Sequence, residues 1–188
     1  MACSTQKDAV ELKYEQYTLD NGLKVVLHQD LSDPMVAIAI QYHVGSGREK
    51  LGKTGFAHFF EHMLFQRSEN LPRNAFFQKI AKLGGEFNGS TNSDGTNYYE
   101  SVPRDAMEKV LWMESDRMGF FINTVTQGGL EREIDVVSNE KRQNYDSQPY
   151  GHSSTIMAKE MFPAGHPYSW TTIGEIADLK SATLDDVK

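Results

Sequence analysis

The chain has 188 residues, 39% of them hydrophobic and 24% charged, which suits a globular protein of one domain with a sizeable core, or one domain and part of another. A net charge of −7 argues against a nucleic-acid binder, because phosphate contacts need basic patches, and no apolar run approaches the roughly 20 residues that span a bilayer. The single cysteine, Cys3, excludes an intrachain disulfide and a cysteine-built zinc cluster, so any metal site has to use His, Asp or Glu.

Residues 1–12 are polar and aperiodic and read as a flexible tail. Within it, Met1-Ala2-Cys3-Ser4-Thr5 fits the lipidated start of a mature bacterial lipoprotein, periplasmic or membrane-anchored. A plain cysteine in the tail of a cytoplasmic protein fits equally well. Strands are predicted at Tyr14–Leu19 and Leu23–His28 around Asp20-Asn21-Gly22, where Asn and Gly both accept positive φ. Met35–Val44 is a third strand. Gly55–Gln66 has helical spacing of Phe56, Phe59, Phe60, Met63 and Leu64. Pro72 opens a helix through Phe76, Ile80 and Leu83 that stops at Gly84-Gly85. Glu86–Thr91 and Thr96–Val102 read as paired strands. Pro103 opens a long helix to about Phe121, with Met107, Val110, Leu111 and Met118 as its apolar face. Helices follow at Leu130 to about Tyr145 and Ser153–Met161, and Thr183-Leu184-Asp185-Asp186 caps a last one close to Lys188. The order implies an α+β fold with a largely antiparallel sheet.

The chemistry concentrates in His58-Phe59-Phe60-Glu61-His62. On a helix the two histidines differ by about 40° in direction, one turn apart, so both imidazoles can reach one ion. Glu61 lies about 60° to the other side of His58, where a carboxylate can take a proton from an attacking water. This is the inverse of the commoner His-Glu-x-x-His. The helix is apolar nearly all round and is expected to be buried, so its polar groups need partners, and a metal would satisfy them. A catalytic zinc takes a third protein ligand. Glu131, Glu133, Asp135 and Glu140 on the helix from Leu130 are the candidates. Glu133 and Glu140 share one face within about 20°, and helix geometry leaves open which of them binds. The acids near that helix's start have a bland role as well, since negative charge stabilises an N-terminal end.

Several separated stretches resemble the pitrilysin or insulinase-type metallopeptidases, the family with the inverted zinc motif that includes the mitochondrial processing peptidases. They are Leu19-Asp20-Asn21-Gly22-Leu23, Gly45-Ser46-Gly47-Arg48-Glu49, Gly55 to Phe65 and Gly84-Gly85-Glu86-Phe87-Asn88-Gly89-Ser90-Thr91. Thr96-Asn97-Tyr98-Tyr99, Glu131 to Glu140 and His166-Pro167-Tyr168 complete the set. The resemblance implies a zinc endopeptidase with Zn2+ on His58, His62 and Glu140, Glu61 as the base, and Glu133 supporting the site. It makes Phe87, Asn88, Gly89 and Ser90 the edge strand on which an extended peptide substrate pairs by β-augmentation. It also makes 13–188 an incomplete N-terminal catalytic domain. A second homologous half, in the same chain or in a partner subunit, would complete the substrate chamber, and this stretch alone is expected to have little activity. The competing readings are a non-catalytic scaffold or peptide-binding subunit of the same family, which usually lacks part of the metal motif, and a non-peptidase zinc hydrolase.

Overall fold

The computed structural model describes residues 12–187. The expected tail and Cys3 lie outside the described residues. The chain divides after Pro34 into two compact units.

In the first unit, β1 (Glu15–Thr18) pairs antiparallel with β2 (Lys24–Leu27), Thr18 opposite Lys24. The turn differs from the expected Asn-Gly pair of positive φ. Gly22 has φ 87° and Asn21 stays out of that region. Gly22 N–H donates to Leu19 O at 2.8 Å and Leu19 N–H to Leu23 O at 2.9 Å. This is a three-residue loop in which a tight turn is closed by one left-handed glycine. Asn21 contributes its side chain instead, Oδ1 accepting from Leu23 N–H at 3.1 Å.

The second unit carries a three-stranded antiparallel sheet, in the order β3 (Met35–Tyr42), β5 (Thr96–Pro103), β4 (Glu86–Thr91). Side chains alternate along the strands, and the inward face bears Ile38, Tyr98, Glu100, Val102 and Phe87. Against it pack α2 (Ala75–Lys82) and α3 (Met107–Phe120), with Phe76, Ile80, Val110 and Met113 in one core cluster. A second cluster joins α1 (Phe56–Gln66) to α4 (Gln127–Lys141) through Phe59, Met63, Leu130, Ile134 and Val137. The chain continues with α5 (Ser153–Met161), α6 (Ile176–Lys180) and α7 (Leu184–Val187). The fold is α+β, and every described strand pairing is antiparallel.

Three sequence expectations shift. The helix after Pro72 begins only at Ala75, because Asn74 takes a left-handed φ of 62°. The helix expected from Leu130 starts earlier, where the Thr126 hydroxyl accepts from Gly129 N–H, and its first turn holds no acid. Beyond Lys141 it widens into a π-turn over Arg142–Asp146. On α3, Met107, Leu111 and Met118 are exposed, and the buried face is Val110 and Met113 with the charged Glu114 and Arg117.

Candidate metal centre

Helix α1 has no exposed residue, as its all-round apolar sequence implies. Its entry is a close backbone crossing. Gly55 has φ 86°, and a Cβ there would come within 2.7 Å of Ile173 O. The helix start is held by side chains from outside it. Glu49 accepts from Gly55 N–H at 3.0 Å and Ala57 N–H at 2.8 Å, and Asp178 accepts from Thr54 N–H at 2.9 Å. Both carboxylates sit where a helix presents unpaired N–H groups and positive dipole.

The helix α1 packs on α4, which brings His58, His62 and Glu140 together. His58 Nε2 and His62 Nε2 are 3.3 Å apart, Glu140 Oε2 is 3.3 Å from His62 Nε2, and Glu140 Oε2 is 3.7 Å from His58 Nε2. Ligand atoms around a tetrahedral zinc, with bonds of about 2.0–2.1 Å, stand about 3.4 Å from one another. The three atoms therefore fit one ion. Glu133, 2% exposed, faces the other nitrogen of His62, with Oε2 at 3.8 Å from Nδ1. That is the place of a carboxylate that orients a ligating imidazole from behind. Glu131 and Asp135 are exposed and stand outside the group.

Charge balance points the same way. Burial, then the neighbouring His62, holds His58 below the usual histidine pKa. Burial also opposes charge on His62, but Glu140, Glu133 and Glu61 outweigh it and raise its pKa. Glu140 is lowered by its hydrogen bond to His62. Burial raises both Glu61 and Glu133. Three carboxylates against two imidazoles leave a half-buried excess of negative charge that a divalent cation would neutralise.

Strand β4 lies beside Glu61. Asn92 N–H, one residue past the strand, donates to Gly95 O at 2.9 Å. By the two-residue period, Asn88 and Ser90 then direct their backbone groups to β5, and Phe87, Gly89 and Thr91 direct theirs to the free edge. Phe87 packs its ring against Phe65, Phe76 and Phe77. Gly89 N–H is taken by its neighbour, Asn88 Oδ1, at 2.8 Å. A Cβ at Gly89 would stand 2.7 Å from Glu61 Oε1, so β4 and the Glu61 carboxylate are in contact distance.

Comparison with known proteins agrees with this geometry. Residues 24–164 match the sequence profile of Insulinase (Peptidase family M16). The chain belongs to the insulinase family. It is 32% identical over 180 residues to zinc protease PqqE of Helicobacter pylori, covering 94% of this chain and 39% of the relative. A crystal structure of a protease from Helicobacter pylori superposes with a TM-score of 0.89 at 32% identity, over 94% of this chain and 42% of that one. The first half of the periplasmic protease PqqL from Escherichia coli shares the fold, with a TM-score of 0.81 at 22% identity, over 93% of this chain and 38% of that one. This insulinase-family chain thus spans about two-fifths of the length of such relatives.

Two contributors escaped the sequence reading. Glu49 stands in the stretch Gly45-Ser46-Gly47-Arg48-Glu49, whose motif character was visible although its role in capping α1 was not. Thr91 donates to Glu61 Oε2 at 2.5 Å, and nothing in a strand of small polar residues marks it out. His28, His43, His152 and His166 stay outside the metal group.

Proposed function

We propose that the protein is a zinc metalloendopeptidase that hydrolyses extended peptides or small unfolded proteins, with His58, His62 and Glu140 as zinc ligands and Glu61 as general base. The observation that carries this reading is the convergence of the three ligand atoms at tetrahedral spacing beside the Glu61 carboxylate and the edge strand β4. Zinc, when bound, supplies Lewis-acid polarisation of the scissile carbonyl and of the attacking water.

The chain's own residues do the rest. Glu140 and the two imidazoles hold the ion, and Glu133 fixes the ring of His62 through Nδ1. Glu61 takes the proton of the attacking water and returns it to the leaving amine. The free edge of β4 offers backbone groups of Phe87 and Thr91 and the carbonyl of Gly89 to an extended peptide, with Asn88 and Ser90 alternating on the other face. Main-chain pairing of this kind accepts many sequences. A second, homologous half in the same chain or a partner subunit closes the chamber. The full-length protein therefore hydrolyses peptides, and residues 1–188 alone do so poorly.

The test is Glu61→Gln in the full-length protein. Zinc content stays at the wild-type level and peptide hydrolysis falls by at least about a thousandfold. Retained turnover would refute the assignment of the base.

A further inference from the structure

The Glu61 side chain leaves α1 and ends against β4. Its Oε2 accepts from Thr91 Oγ1 at 2.5 Å. Thr91 Oγ1 is itself 3.2 Å from Thr96 Oγ1, and Thr96 donates to Val44 O at 2.9 Å. Thr96 stands directly opposite Thr91 in the β4–β5 register and is only 5% exposed. The Thr91 hydroxyl thus stands beside a buried neighbour whose own proton goes to Val44 O, and it gives its proton to the carboxylate. The other carboxylate oxygen, Oε1, fills the space left by the missing side chain of Gly89. Gly89 and Thr91 are also the residues whose backbone groups lie on the free edge. One strand therefore carries both the docking edge and the contacts of the base.

A glutamate has three side-chain torsions, and an unheld carboxylate spreads over many rotamers. A hydroxyl donating to an ionised carboxylate makes a charge-assisted bond strong enough to select one of them. Attack geometry is sensitive to displacements of about 1 Å, so this selection bears on the rate.

We propose that Thr91 is a positioning residue of the peptidase site: its hydroxyl fixes the Glu61 carboxylate against β4, in register with a peptide paired to that strand. The proposal rests on the reading of Glu61 as the base. Thr91 acts through Glu61 and touches neither metal nor substrate with its side chain.

The experiment uses the full-length protein. Thr91→Val keeps the shape of the side chain and removes the hydroxyl. For a model peptide, kcat falls about tenfold or more, and KM stays within about twofold. Zinc content is unchanged, and a crystal structure of the variant shows the Glu61 carboxylate displaced from β4. Thr91→Ser restores the hydroxyl and brings kcat back to within about threefold of wild type. Thr91→Ala replaces the valine variant if that one does not fold, with the same loss expected. The proposal is overturned by wild-type kcat in the valine or alanine variant, or by a serine variant as slow as valine. A loss that appears in KM or zinc content instead of kcat, or unfolding of both the valine and alanine variants, marks a structural residue and overturns it too. Glu61→Gln is assayed in parallel. An active Glu61→Gln removes the base assignment itself, whereas an inactive one beside a fully active Thr91→Val removes only the role of Thr91.

Discussion

On the inner face of the sheet and α3, Glu100, Glu114 and Arg117 bury two carboxylates with one guanidinium. Arg117 pairs with Glu114, lies 3.8 Å from Glu100, and stacks 4.1 Å above the Tyr98 ring. Both oxygens of Glu100 and the hydroxyls of Tyr42 and Tyr98 are buried without a hydrogen-bond partner. Burial first, and then the charge of Glu114, pushes the Glu100 pKa from 4.5 up to about 8, against the pull of Arg117. A carboxyl raised on folding binds its proton more tightly in the native state, so its contribution to stability declines as pH rises from about 4.5 to about 8. Glu100→Gln mimics the protonated form and removes that decline. Denaturant titrations from pH 5 to pH 9 are expected to show the variant gaining on wild type as pH rises. A pH-independent difference would show that Glu100 does not hold the proton. At the metal centre, Glu133→Gln weakens the orientation of His62 without removing a ligand. Zinc affinity measured by chelator competition is expected to fall about 10–100-fold, with the melting temperature of the metal-free protein little changed.

At the scale of elements, α1 depends on anchors outside its own sequence. Glu49→Ala leaves Gly55 and Ala57 N–H groups without their acceptor, and the expected loss is about 1–2 kcal/mol in denaturant unfolding. Much of this element was legible. Its apolar periodicity predicted a buried helix over Gly55–Gln66, and four-residue spacing placed both imidazoles on one stripe. The helix period could not choose between Glu133 and Glu140, because they share a face. Packing of α4 against α1 assigns Glu140 to the Nε2 side and Glu133 to the Nδ1 side of the same ring. Short and irregular pieces stayed hidden for physical reasons. Five residues of α6 are too few for a 3.6-residue period, and the π-turn after Lys141 has no sequence signal of its own. On α3, exposed Leu111 and Met118 mimic a core face, and the actual inner face carries the ion-paired Glu114 and Arg117 beside Val110 and Met113. Thr91 was unreadable for a similar reason: its role exists only because β4 lies against α1.

For the whole molecule, membership of the insulinase family and the α+β fold agree with the motif order in the sequence. The relative zinc protease PqqE is about two and a half times as long as this chain, and His58, Glu61, His62 and Glu140 all fall within the family match at 24–164. Residues 1–188 are therefore expected to bind zinc while cleaving a long peptide far more slowly than the full-length protein, and a side-by-side assay at equal zinc loading checks this. Metal analysis of the purified chain after zinc loading and desalting tests the His58, His62 and Glu140 site. About one zinc per chain is expected, falling to near zero in His62→Ala. A stoichiometry near zero in the wild-type chain despite added zinc, or undiminished zinc in His62→Ala, would contradict it.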